Sequence, residues 1–135
     1  MPNKLIPLLR YQDAPAAIEF LTQAFGFEQR VVVPGDEANV IVHAQLTRGD
    51  NMLMLATIRS HGEFDRHMKL PREAGGNTQG LFVLVEDADA HCARAAKSGA
   101  KILMPPADWD NGGRGYSCED CEGHLWSFGT FDPWS

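Results

Sequence analysis

The sequence predicts an α+β fold built from one unit used twice, each unit reading β-α-β-β-β. Three observations carry this. Asp13-Ala14-Pro15-Ala16 and Asp87-Ala88-Asp89-Ala90, about 74 positions apart, each open an amphipathic stretch that runs to a glycine, Gly26 or Gly99. An apolar run, residues 5–9 or 81–85, precedes each Asp. Each half closes alike, with Leu53-Met54-Leu55-Ala56-Thr57 matching Trp126-Ser127-Phe128-Gly129-Thr130.

The elements follow in order. Residues 4–10 read as a strand. Asp13 is a helix N-cap whose carboxylate accepts from first-turn amides, and Pro15 sits where a missing N–H costs nothing. Ala17, Ile18, Leu21, Ala24 and Phe25 then recur at helical spacing, and Gly26 stops the helix. Residues 27–33, 38–47 and 52–56 read as strands, separated by Pro34-Gly35 and by Arg48-Gly49-Asp50-Asn51. Residues 58–78 form a connector, long for a structureless loop, with a short helix expected over 64–70. The second half repeats the order. A strand spans 79–85, and a helix capped by Asp87 runs to Ser98. A strand over 101–104 ends at Pro105-Pro106, and strands 115–119 and 124–131 form a hairpin. The expected organisation is one domain over 1–135: module one 1–57, the connector, and module two 79–135.

At 135 residues the chain is one domain-sized object that buries roughly two-thirds of its unfolded surface. A net charge of -6 without a Lys/Arg cluster argues against nucleic acid and anionic membranes as partners. No run is long enough to span a bilayer, and the apolar amino-terminal stretch is interrupted by Arg10 and Asp13, unlike a secretion signal. Three cysteines, Cys92, Cys118 and Cys121, suit a reducing compartment, so a cytoplasmic location is expected.

Two segments resemble the vicinal oxygen chelate superfamily, which includes glyoxalase I, extradiol dioxygenases and bleomycin-resistance proteins. One is Tyr11-x-Asp13-Ala14-x-Ala16-Ala17-x-x-Phe20-Leu21 with Phe25-Gly26-Phe27. The other is Gly115-Tyr116 followed by Gly123-His124-Leu125-Trp126-Ser127-Phe128-Gly129-Thr130. The family's usual Asp-Pro-Glu-Gly turn is here Asp120-Cys121-Glu122-Gly123. The resemblance implies paired βαβββ modules forming a cupped, mixed eight-stranded sheet with helices outside, and a homodimer. It also implies four metal-ligand positions, on the first and fourth strands of each module: Ile6, Met54, Gly80 and Ser127. None is a His, Asp or Glu, and a one-residue slip reaches none. Neither a metal nor another cofactor is therefore expected, and metal-dependent glyoxalase or dioxygenase chemistry loses its Lewis acid.

The function expected is metal-independent binding of a small hydrophobic or aromatic ligand, similar to drug-sequestering bleomycin-resistance proteins. Strand alternation places Ile6, Leu8, Met52, Met54, Gly80, Phe82, Leu84 and Ser127 on one face, with His43 alternating toward it. Trp109, Tyr116 and Trp134, in the late loop, a strand and the tail, are candidates for stacking on the ligand's rings. Such a face is equally the composition of a core or a subunit interface. One alternative is a metal-independent lyase or isomerase using His43, Tyr116 or Ser127. Another is a thiol-dependent metal or redox protein using Cys118 and Cys121, against which stands their simple placement at a turn.

Overall fold

The computed structural model describes residues 3–135; the first two residues of the expected first module lie outside it. The chain divides into two compact units, residues 3–22 with Gly26–Leu70, and Gln23–Phe25 with Pro71–Ser135. The unit boundary thus falls inside the connector. Each unit carries a four-stranded mixed sheet, so the eight strands make two sheets of four.

The first sheet contains β1 (Leu8–Tyr11), β2 (Glu28–Pro34), β3 (Ile41–Arg48) and β4 (Asn51–Thr57) in the order β1-β4-β3-β2. β1 runs parallel to β4 and the other pairs are antiparallel. β1 starts later than the apolar run suggests. Pro7 has no N–H to give a ladder and contributes only its carbonyl, which accepts from Met54 N at 3.0 Å. Helix α1 (Ala14–Phe25) is capped as expected: Asp13 accepts from Ala16 N, and Gly26 adopts φ 84°, a left-handed conformation that favours glycine. Its Ala17, Ile18, Leu21, Ala24 and Phe25 are buried at helical spacing.

The connector is tied down by charge. Asp65 is buried and accepts from Arg10 Nε and Arg59 N, both at 2.8 Å, while the Arg10 guanidinium lies 5.1 Å from the Phe64 ring centroid. Only a 3-10 turn, Asp65–His67, forms where a helix was expected; α2 (Pro71–Ala74) comes after it.

The second sheet contains β5 (Leu81–Leu84), β6 (Lys101–Asp108), β7 (Arg114–Glu119) and β8 (Leu125–Gly129) in the order β5-β8-β7-β6. Helix α3 (Ala88–Lys97) is capped by Asp87 and packs across β6, β7 and β8. One expectation fails here. Pro105 and Pro106 do not end β6, which continues to Asp108. β6 is an edge strand, and its register shifts between Met104 and Ala107, so the prolines fall where no ladder donor is needed.

The two cores differ in emphasis. The first unit buries Tyr11 and Phe27 among Leu21, Leu46, Leu53 and Leu55; the second buries Phe25, Tyr116, Trp126 and Phe128. Asp120 organises the β7–β8 turn, accepting from the amides of Glu122 (2.9 Å) and His124 (3.0 Å) and from Trp126 Nε1 (3.1 Å).

Candidate functional site

Each sheet has a buried face and an open face, and one row of residues is equivalent in both. In the first sheet Leu8 opposes Met54, which opposes Gln45. In the second, Phe82 opposes Ser127, which opposes Ser117. Side chains in such a row project to one side. Leu8, Phe82 and Leu84 are each a little over two-fifths exposed, whereas Leu53, Leu55, Trp126 and Phe128 on the neighbouring positions are buried.

In the first unit the open face holds Leu8, His43, Met52 and Met54, as strand alternation predicts. Ile6 lies before β1, and with Met52 it lines a cavity of about 600 Å³. His43 Nε2 is 3.0 Å from Gln45 Nε2, and Gln45 Oε1 accepts from Arg30 Nε at 3.3 Å. This polar chain was not anticipated, although the i, i+2 spacing of His43 and Gln45 puts both on one face.

The open face of the second unit is aromatic. The Trp109 indole packs directly against two glycines: a Cβ at Gly115 would sit 2.2 Å from Trp109 Cζ2, and one at Gly129 2.7 Å from Cη2. Gly115 and Gly129 oppose each other across β7 and β8, so together they form a seat for the ring. The Phe82 ring stands beside it, with centroids 5.8 Å apart. Leu84 and Ser127 share the face, and Ser127 Oγ is 2.7 Å from Ser117 Oγ. Glycine inside a strand is the sequence signal for such a close approach.

Tyr116 does not belong to this site. It lies on the opposite face of β7, fully buried, with its hydroxyl 2.5 Å from His91 Nδ1 and its ring stacked on Phe128. It opposes Phe128, not Ser127, and that register turns it into the core. His91, on α3, stacks on Phe128 and also reaches the Phe25 carbonyl at 3.3 Å. Of the three residues proposed for acid–base chemistry, Tyr116 is buried and Ser127 is held by Ser117. His43 alone keeps a ring nitrogen, Nδ1, without a hydrogen-bond partner among the described residues.

The sequence pattern of the Glyoxalase/Bleomycin resistance protein/Dioxygenase superfamily matches residues 6–128. The chain belongs to this superfamily. An uncharacterized protein of Mycobacterium bovis is 32% identical over 125 residues, covering 93% of this chain and 81% of the relative. Among solved structures, TioX from Micromonospora sp. ML1 is similar at 34% identity and a TM-score of 0.69, with 94% of each chain covered. The fosfomycin resistance protein FosX from Mesorhizobium loti shares the fold at 17% identity and a TM-score of 0.70, covering 99% of this chain and 95% of that one.

The metal positions of the superfamily test poorly on donor chemistry. Met54 offers a soft thioether between Leu8 and Gln45, and Ser127 a neutral hydroxyl beside Phe82 and Ser117. Gly80 and Ile6 offer no side-chain donor. A divalent ion held by imidazole and carboxylate does not fit this set. Among the described residues no three His, Cys, Asp or Glu side chains converge to hold one.

The cysteines are free thiols, and their setting opposes the thiol reading. Cys118 is fully buried on the core face of β7. Burial first, and Asp120 second, push the thiols of both Cys118 and Cys121 up to about 12. Neutral thiols are poor nucleophiles and poor metal ligands.

Proposed function

We propose that the protein binds a flat, largely apolar small molecule on the open face of its second sheet and holds it without a metal. This makes it similar to the drug-sequestering bleomycin-resistance members of its superfamily. The reading also pairs the chain with a second copy, as the family resemblance implies. The observation that carries the proposal is the Trp109 platform. The indole is seated on Gly115 and Gly129, flanked by Phe82 and Leu84, in the same face as Ser127. A ring stacked on such a platform gains about 0.5–1.5 kcal/mol beyond the apolar area it buries. The superfamily's metal positions on this face and its counterpart hold Ser127 and Met54, so shape and burial replace chelation.

Intrinsic tryptophan fluorescence titrated with a panel of planar aromatic compounds tests this. At least one compound should give a saturable change. Trp109→Phe should remove most of that change and weaken binding about tenfold, while Trp134→Phe, in the exposed tail, should leave affinity intact. A panel without a saturable binder, or full affinity in Trp109→Phe, would contradict the proposal.

A further inference from the structure

The cavity of about 600 Å³ in the first unit has a size suited to a small-molecule group. Its apolar part, Ile6 and Met52, adjoins Leu8 and Met54 on the open face. Its polar part is cationic in excess: Arg30 and Lys4 line it against one carboxylate, Asp50. Neither cation stands within ion-pair distance of a carboxylate among the described residues. Arg30 is also oriented. A guanidinium can only donate, so the Gln45 atom facing Arg30 Nε is the amide oxygen. The Gln45 amide nitrogen then faces His43 Nε2, which must accept. This chain uses Nε alone and leaves both Nη groups of Arg30 without a partner, a fork whose geometry matches an oxyanion. The protein carries a net charge of -6, so attraction of an anion here must come from these two side chains and not from the whole molecule.

We propose that this cavity receives an oxyanion, a carboxylate or sulfonate, carried on the ligand's apolar body, and that Arg30 is the residue that anchors it. Lys4 adds charge, and the Gln45–His43 pair holds the fork in place. The inference rests on the small-molecule reading above only in taking an open sheet face, here that of the first unit, to receive an apolar body.

The test compares two fluorescent probes with the same rings, 1-anilinonaphthalene-8-sulfonate and its uncharged parent N-phenyl-1-naphthylamine, on the full chain. The wild type should bind the sulfonate about tenfold more tightly at low salt, with the preference shrinking as salt is raised. Arg30→Gln should erase the preference while changing affinity for the uncharged probe by no more than about twofold. Arg66→Gln, an exposed arginine of the connector, should leave the preference unchanged. Far-UV circular dichroism checks that each variant is folded. Equal binding of the two probes by the wild type, or a preference that survives Arg30→Gln, overturns the proposal while the small-molecule reading stands. Binding of neither probe would count against both.

Discussion

The two units share a backbone plan and differ in what they build on it. Both cap their helix with Asp, and both tie a β-strand amide to a threonine: Ile41 N to Thr57 Oγ1 and Arg114 N to Thr130 Oγ1, each 2.9 Å. Their central rows also correspond, Leu8–Met54–Gln45 and Phe82–Ser127–Ser117. The side chains diverge from there. The first unit buries mainly aliphatic side chains, with Tyr11 and Phe27, and its open face sets Leu8 and Met54 beside a polar chain running from Arg30 through Gln45 to His43. The second has an aromatic core and an open face built round an indole on glycine. The duplication therefore fixes where side chains point and leaves their chemistry free to change.

The largest effect that tests this contrast is removal of each unit's buried carboxylate. Asp120→Ala strands the Trp126 indole N–H in an aromatic core and undoes the turn, and should cost about 3 kcal/mol or more. Asp65→Ala frees the partly exposed Arg10, and should cost about 2 kcal/mol. Urea denaturation of both variants measures the order, and the contrast breaks if Asp65→Ala is the costlier. Next comes Gly115→Ala. Its new Cβ cannot coexist with the seated indole, so Trp109 should lift away, with a changed emission spectrum and a loss of about 1–3 kcal/mol. Tyr116→Phe should cost about 1 kcal/mol through the lost His91 contact and leave ligand affinity unchanged, because Tyr116 faces the core.

The smallest effect belongs to Asp89. Arg114 Nε and Nη2 donate to it at 2.7 and 3.1 Å, and these hydrogen bonds hold its carboxyl below the usual 3.8. A depressed folded value gives stability that is present above 3.8 and lost as pH falls through the lower folded value. The melting-temperature gap between the wild type and Asp89→Asn should therefore be constant above about pH 5 and close in more acid solution. Both partners are well exposed, so the gap itself is small.

Much of this was legible in the sequence because it is local. The caps at Asp13 and Asp87, the glycine stop at Gly26 and the alternation of Met52 and Met54 need only neighbouring residues. What was not legible depends on register between strands. Tyr116 was expected at the site, but whether it faces Ser127 or Phe128 is decided by the pairing of β7 with β8, and a one-residue slip reverses the answer. The Trp109 seat requires Gly115 and Gly129 to oppose each other, which the same register decides. The length of β6 depends on its being an edge strand, and that is a property of the whole sheet.

The central claim is that the superfamily's metal positions have become part of a binding face that works without metal. The most direct measurement is a fluorescence titration of chelator-treated protein with the strongest compound from the aromatic panel. It is then repeated with excess magnesium, manganese and zinc. The account predicts saturable binding of unchanged affinity in every case, lost in Trp109→Phe. Binding or turnover that appears only when a divalent ion is added would contradict it.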